Sequence, residues 1–537
     1  MYHLWIVKKN YFLIFIVIHL FVASFFSSCK NIKSTFVKDK KPNIILIYAD
    51  DLGKGLLGHE GQKIIKTPHI DQLAGEGIRF TNAYSAMLCA PARATLITGL
   101  HDSHKDKFDI PIAGFHQNIS TGTSSYAEID NAINNVLKPV PEDQQFIGNI
   151  AKLAGYKTAQ FGKLEWGFSA TDAQMKRHGW DHYLGYLDHQ RAHGFYPPFL
   201  FENGKIQYYP GNTLVNAGKS IEPETPKAYK ERWDRTGKNR YSQDIFMKGI
   251  RTFIASNTDT PFFLYFPTQL PHGPVAVPEV HSDFALNDSL TQIEKEYASM
   301  VKLLDDNVGE IVGMLKEFGL EENTIVIFTG DNGHEIYYAK KGRITKPYTN
   351  IKTGTRTNDL TEKYYSDIVG DVFNGNAGRA GVKRSNLQGG IEVPLLIKWP
   401  KKIKPNSVSN RLVASYDMLP TLVDITGSNA KFKSDGISYY QTLLGEEATN
   451  KHNFIVYSSY IGPTLITNEG WKLRTYISKD IFELYYLPND YKEEFNLASK
   501  YPDKVAALKK QLLAACDGDY KNGHFTSQKL KSISLHN

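Results

Sequence analysis

Cys89-Ala90-Pro91-Ala92-Arg93 puts a thiol, a helix start and a guanidinium into one short stretch. Pro91 suits a first helical position, and the free N–H groups at a helix start attract anions. An arginine grips an oxyanion with two parallel hydrogen bonds. The stretch therefore offers a nucleophile, an anion cradle and a fixed positive charge. Two other motifs offer oxygen ligands. Asp50-Asp51 follows the apolar run 43–48, and Asp331-Asn332-Gly333 follows the apolar run 324–329. Adjacent carboxylates just past a buried strand are costly without a positive partner, and a metal ion is the simplest one. Three carboxylates and one amide oxygen, with no histidine or thiolate in the same motifs, favour a hard cation such as Ca2+ or Mg2+ over zinc. Asn332 in place of a fourth acid keeps such a site from becoming too negative for an anionic substrate.

These residues need a scaffold that brings distant segments together. The runs 43–48, 261–267, 324–329 and 395–399 are continuously apolar, as expected of strands buried on both faces of a largely parallel sheet. A further strand over 156–161 leads into Gly162-Lys163-Leu164-Glu165-Trp166, and 261–267 leads into Gln269-Leu270-Pro271-His272. Open α/β sheets bind ligands at the carboxyl ends of their strands, where all these motifs fall. Helices are predicted over 67–75, 146–154, 242–254 and, most clearly, 294–318. There Tyr297, Met300, Val301, Leu304, Val308, Ile311, Val312 and Leu315 share one face. The alternation predicts a doubly wound, mixed but mostly parallel α/β sheet flanked by helices. After Lys401 the pattern changes: a helix over 412–426, short strands over 454–476 and a closing helix over 504–515 predict a smaller α+β C-terminal domain. The segments 101–141 and 185–237 read as long excursions on the surface, the second of them on the active face.

A chain of 537 residues has room for one large domain and a smaller one. The net charge of +7 is mild and spread along the chain, which argues against a nucleic-acid partner. Three cysteines, Cys29, Cys89 and Cys516, cannot supply a disulfide framework. Lys8 and Lys9 precede an apolar run over 11–26, and Ser27-Ser28 then lead to Cys29. This is the order of a secretory signal, and the run is short for a membrane span. The reading is a lipoprotein-type signal over 1–29 and a polar tether over 30–41, with an uncleaved membrane anchor as the alternative. Export to the periplasm, bacterial outer membrane or cell surface follows, with the membrane contacted only through an N-terminal lipid.

Cys89-x-Pro91-x-Arg93, followed by Thr98-Gly99, resembles the signature of the type I sulfatases. The order of Asp50-Asp51, Phe80-Thr81-Asn82-Ala83-Tyr84, the cysteine motif and Asp331-Asn332-Gly333 is similar to that family, as are 483–487 and 494–498 near the end. The resemblance covers the chain from about Pro42 onward. It implies an alkaline-phosphatase-like catalytic domain over 42–402 and a C-terminal subdomain over 403–537. It implies a sulfuric ester hydrolase in which Cys89 becomes formylglycine, made by a formylglycine-generating or anaerobic sulfatase-maturating enzyme. One Ca2+ would be held by Asp50, Asp51, Asp331, Asn332 and residue 89. Lys163 lies in a Gly-Lys motif, His272 in Pro-His-x-Pro, and Lys383 precedes Gly389-Gly390 at the family spacing. Arg93, Lys163, His272 and Lys383 would surround the sulfate, with His272 as proton donor to the leaving oxygen and Lys383 assisting. A covalent route through the hydrated aldehyde is nucleophilic catalysis.

Three departures stand out. Glu165 occupies the histidine position of Gly-Lys-x-His, so either Glu165 serves as base or another residue such as His101 or His334 does. Gln388-Gly389-Gly390 and Glu392-Val393-Pro394 replace Glu-Gly-Gly and Arg-Val-Pro, which bears on substrate contacts more than on fold. The expected substrate is a sulfated carbohydrate, from the tethered export and the aromatic excursions. The rival readings are a phosphatase or phosphodiesterase of the same superfamily and a non-catalytic glycan-binding lipoprotein.

Overall fold

Every residue of β1 (Asn43–Ala49) is buried, because the strand lies mid-sheet with helices on both sides. Its side chains alternate: Ile45, Ile47 and Ala49 enter one core, and Ile44, Leu46 and Tyr48 the other. The computed structural model describes residues 40–105, 116–136, 141–166, 171–218, 226–338, 344–345, 349–350, 363–366 and 370–525. The expected signal, Cys29 and nearly all of the tether lie outside the described residues. Among the described residues, no helix is long and apolar enough to cross a membrane.

The strands in chain order are β1, β2 (Ile78–Tyr84), β3 (Lys157–Lys163), β4 (His182–Tyr186), β5 (Phe199–Glu202), β6 (Lys205–Tyr208), β7 (Phe262–Pro267), β8 (Thr324–Gly330), the two-residue pair β9 (Ile344–Thr345) and β10 (Thr349–Asn350), β11 (Leu395–Lys398) and β12 (Ser407–Ala414). The large sheet runs β12-β2-β11-β8-β1-β7-β3-β4-β5-β6. The stretch β8-β1-β7-β3-β4 is parallel throughout. β11 is antiparallel to both its neighbours, so β2 again points the same way as β8. The carboxyl ends of β1, β2, β3, β7 and β8 thus meet at one edge. This is the doubly wound α/β sheet that the alternating pattern predicts.

On one face lie α1 (Pro68–Glu76), α4 (Ser242–Ala255) and α5 (Gln292–Glu317); on the other lie α2 (Cys89–Thr98), α3 (Ile147–Leu153) and α6 (Met418–Thr426). Thr291 and Glu294 cap α5 reciprocally: Thr291 N–H donates to Glu294 Oε2 at 2.7 Å, and Glu294 N–H to Thr291 Oγ1 at 3.4 Å. Tyr297, Val301, Leu304, Val308, Ile311 and Leu315 of α5 fill the core as their spacing predicts. Each such side chain contributes about 1.5–3 kcal/mol. Buried ion pairs roughly break even against apolar packing. The two cores, rather than the polar edge, therefore hold the fold.

Two segments differ from the sequence reading. Leu412, Val413 and Ala414 end β12, and the helix begins only at Met418; β12 pairs with β2 around an irregularity between Ser409 and Leu412. The excursion over 185–237 contains β5 and β6, which lengthen the sheet edge. Beyond α6, β13 (Phe454–Tyr457), β14 (Thr464–Thr467), β15 (Trp471–Tyr476) and β16 (Ile481–Tyr486) form an antiparallel sheet in sequential order, covered by α7 (Pro502–Ala515).

Candidate active site

Ala49 and Gly330 are register partners, so the residues that follow β1 and β8 emerge side by side. Asp331 N–H donates to Ala49 O at 3.0 Å, and Asp51 N–H to Asp331 Oδ1 at 3.0 Å. Asn332 Nδ2 donates to Asp51 Oδ1 at 2.7 Å. Asp51 holds φ +62°, a left-handed conformation that a non-glycine residue adopts where its surroundings impose it. Asp50 N–H donates to Leu270 O at 2.9 Å, which ties in the segment after β7 that carries His272. Gly333 must be glycine: a Cβ there would lie 1.8 Å from the Gly389 carbonyl oxygen.

β2 delivers the chain to α2, whose first residue is Cys89, with Leu88 as the flanking cap. Pro91 is thus the third helical residue, not the first. The position suits it equally, since the first four N–H groups of a helix have no intrahelical acceptor. Arg93 is fully buried; its Nη2 donates to Asp331 Oδ2 at 3.0 Å and lies 3.6 Å from Asp50 Oδ2. Lys163, the last residue of β3, donates to Asp50 Oδ2 at 2.7 Å. Lys383 Nζ lies 2.8 Å from Asp51 Oδ2, 3.2 Å from Cys89 Sγ and 3.1 Å from His272 Nε2. Asp50, Asp51, Asp331, Asn332, Cys89, Arg93, Lys163, His272 and Lys383 are therefore brought together at one sheet edge.

Burial and the Asp50 charge push the Cys89 thiol up to about 12, so the thiol is no nucleophile as it stands. Burial and Asp50 push Asp331 up to about 8: three carboxylates here are more negative charge than the site carries comfortably. Burial and Lys383 press His272 down to about 3, leaving a neutral ring. Its Nδ1 faces the Gly273 carbonyl and its Nε2 faces Lys383. Against its own burial, Lys383 is held charged by Asp51, Cys89 and Asp50, so the mobile proton of this pair sits on Lys383. Among the described residues, Asp50 Oδ1, Asn332 Oδ1, Arg93 Nε and Arg93 Nη1 are buried without a hydrogen-bond partner. Two acceptors and a guanidinium edge are thus left to meet a cation and an anion.

Glu165 is not aimed at this cluster. It sits at φ +53°, and its carboxylate accepts from Trp180 Nε1 at 2.6 Å and pairs with His178 Nδ1 at 2.8 Å. His101 neighbours Asp435, and His334 neighbours Tyr338, Tyr297 and Asp371. The two other departures are absorbed by a buried network beneath the site. Glu392 bridges Lys54 at 2.9 Å and Arg379 at 2.6 Å; Gln388 bonds Tyr84, Glu392 and Lys472. Lys472 of β15 in turn pairs with Glu493 at 2.8 Å, and its bond to Gln388, which bonds Tyr84 of β2, links the two sheets. Gln388 and Glu392 are buried in this network.

Three residues escaped the sequence reading. Tyr337 donates its hydroxyl to Asp51 Oδ2, and its ring lies 5.3 Å from His272. His193 Nε2 lies 3.3 Å from Lys163 Nζ, and its ring stacks on His272 at 4.0 Å. His189 shares the site's charges, with Lys163, Arg93 and Asp50 acting on its ring. Both histidines belong to the aromatic excursion, and no spacing marks them; only its placement on the active face pointed there.

Residues 42–428 match the family model described as Sulfatase, and residues 382–517 that of N-sulphoglucosamine sulphohydrolase, C-terminal. N-acetylgalactosamine-6-O-sulfatase of Bacteroides thetaiotaomicron is 26% identical over 535 residues, covering 88% of this chain and 93% of its own. Human N-acetylgalactosamine-6-sulfatase is 27% identical over 435 residues, covering 79% and 69%. A solved structure of Ps i-CgsB in complex with k-i-k-neocarrahexaose has a TM-score of 0.64 at 22% identity, covering 90% of this chain and 94% of that one. Another, in complex with its substrate D-glucosamine-2-N,6-O-disulfate, has a TM-score of 0.59 at 19% identity, covering 90% and 99%. These last two likenesses concern the fold. With its family match spanning most of its length and its cysteine, carboxylates and cations converging at one strand edge, the chain belongs to the sulfatase family, the sulfuric ester hydrolases.

Proposed function

We propose that the protein hydrolyses an O-sulfate ester of a carbohydrate through a formylglycine made from Cys89. The observation that carries this reading is the placement of Cys89 Sγ 3.2 Å from Lys383 Nζ, within the ring of Asp50, Asp51, Asp331, Arg93 and Lys163, while the thiol itself is held neutral. Making the aldehyde breaks the Cβ–S bond: sulfur leaves as sulfide, water supplies the oxygen, and two electrons pass to the oxidant of a maturation enzyme. When present, the hydrated aldehyde supplies the nucleophilic oxygen at position 89. Arg93 Nε and Nη1 are free to bind sulfuryl oxygens, and Lys163 adds positive charge beside them. Preorganised cations at the oxygens where charge builds up are the main source of rate in such a site. Lys383 Nζ holds the proton for the leaving oxygen, and His272, neutral and in contact with it, orients that proton.

The donor set fits one Ca2+. Asp50, Asp51, Asp331 and Asn332 would hold it with residue 89, and the unpartnered Asp50 Oδ1 and Asn332 Oδ1 support the fit, as does the excess negative charge at Asp331. When bound, a hard divalent cation supplies charge stabilisation for the oxygens around residue 89. The carbohydrate reading is supported by relatives named for N-acetylgalactosamine 6-sulfate. We further propose, from the signal-like N-terminus, an exported lipoprotein anchored at Cys29; Cys29→Ala is expected to release it from membrane fractions.

The test pairs mass spectrometry of the peptide spanning residue 89, in protein co-expressed with a maturation enzyme, with turnover of sulfated mono- and oligosaccharides. An aldehyde at residue 89 and sulfate release are expected. Faster cleavage of a phosphate ester at equal metal loading would transfer the protein to the phosphatase reading.

A further inference from the structure

His193 ends a short helical turn, Arg191–His193, and stands partly exposed at the active edge. An ammonium has N–H donors and no acceptor, so Lys163 Nζ donates to His193 Nε2 across their 3.3 Å. The proton of a neutral His193 ring is then on Nδ1. His272 repeats the pattern with the other lysine: Lys383 Nζ donates to its Nε2 at 3.1 Å. The two imidazoles stack with centroids 4.0 Å apart and planes 9° apart. Two lysine–imidazole pairs are thus laid face to face. Lys163 also holds Asp50, and Lys383 also meets Asp51 and Cys89. A buried scaffold holds the stack. Gln269 Nε2 donates to the carbonyls on either side of His193, Ala192 O and Gly194 O, the second at 2.7 Å. Gln269 Oε1 accepts from Ser242 Oγ at 2.6 Å and from Gln243 Nε2 at 3.1 Å, and all three side chains are fully buried. His272 N–H donates to Gln269 O at 2.9 Å. One glutamine therefore places both imidazoles, His272 through its backbone and His193 through its side chain. Buried polar networks with every bond made rigidify what they hold.

We propose that His193 is a positioning residue for sulfuryl transfer: through Nε2 it fixes the Lys163 ammonium, and through its ring face it fixes His272 and with it the proton on Lys383. The assignment rests on the sulfate ester reading above. The two contacts serve different parts of the reaction. Losing the bond to Lys163 loosens the grip on sulfate, whatever alcohol it is attached to. Losing the stack lets the His272–Lys383 pair drift, which costs most where the leaving oxygen is basic and needs its proton.

The experiment uses full-length protein matured at residue 89, with 4-nitrophenyl sulfate and phenyl sulfate as probes. Nitrophenolate leaves readily; phenolate is the more basic leaving group. His193→Gln keeps an acceptor at the reach of Nε2 and removes the ring. It is expected to lose about 100-fold in kcat on phenyl sulfate and only about 10-fold on 4-nitrophenyl sulfate. His193→Phe keeps a ring over His272 and removes the acceptor. It is expected to lose about 10-fold in kcat/KM on both probes alike. Equal losses on the two probes in His193→Gln, or no loss in either variant, would overturn the assignment while leaving the hydrolase reading intact. Matured wild type that releases sulfate from neither probe and from no sulfated saccharide would overturn the hydrolase reading instead. Whatever the turnover, 15N spectra of the histidines in the Cys89 protein are expected to place the His193 proton on Nδ1. A proton on Nε2 would sink the proposal.

Discussion

Lys383 serves three groups at once. It neutralises Asp51, lies against Cys89 Sγ and occupies His272 Nε2. Lys383→Met keeps much of the stem but leaves the buried Asp51 carboxylate with less positive charge. Turnover of a sulfate ester is expected to fall about 100- to 1,000-fold, the cost of losing one preorganised charge at the reacting oxygens. His272 is also expected to titrate closer to its ordinary range, because Lys383 is the largest cause of its depression after burial. An NMR titration of the ring reads this directly; an unchanged value near 3 would mean that burial alone sets it. Removing Arg93 is a different experiment, because the guanidinium joins Asp331 to a buried edge, Nε and Nη1, that has no partner.

Two elements decide whether these residues meet. At Gly333 the turn after β8 passes so close to Gly389 that a methyl group has no room. Gly333→Ala is expected to lower thermal stability and activity together, with activity not rescued at low temperature. Arg379→Met would leave Glu392 with Lys54 as its one remaining cationic partner in a buried setting, at a cost of about 3–5 kcal/mol in urea unfolding. Glu392 also gives a sign that can be checked. Burial would raise its value, but Arg379 and Lys54 bring it down to about 2, below the ordinary 4.5. Its stabilisation is therefore complete above about pH 4.5 and is lost as pH falls toward 2. Glu392→Gln should flatten the acid limb of the stability curve in that window.

The same elements show what local sequence can and cannot reveal. β1, β7 and β8 were legible because strands buried on both faces read as unbroken apolar runs, and the acids after them had to meet something positive. Residues 412–414 were misassigned to a helix because the short apolar run Leu412-Val413-Ala414 fits either state, and its pairing with β2, far away in sequence, decides. Glu165 could be located but not interpreted: its partners His178 and Trp180 come from the next crossover. His193 carried no local signal at all, since its meaning lies in contacts with Lys163 and His272, which lie at or past the ends of other strands.

At the scale of the molecule, the loop after α2 is stapled to two distant segments. His104 bonds Asp435 at 2.9 Å and Asp517, beyond α7, at 3.2 Å, and these bonds lift it to about 8. A raised value means stabilisation that is full below about pH 6.5 and is lost as pH rises through 8. His104→Gln is expected to remove that alkaline decline, read as the pH dependence of the melting temperature. Ca2+ in hundredfold excess over its dissociation constant should stabilise the fold by about 2–3 kcal/mol, and Asp331→Asn should reduce that gain. A chelator that leaves the wild-type melting temperature unchanged would remove the metal from this account. Cys89 is buried and touches Lys383, 294 residues further along the chain. At ordinary rates of synthesis that interval lasts roughly 15–60 s. During it the thiol is made but its pocket does not yet exist. If Cys89 is converted as we propose, the maturation enzyme works against a clock set by translation, before the fold buries its target.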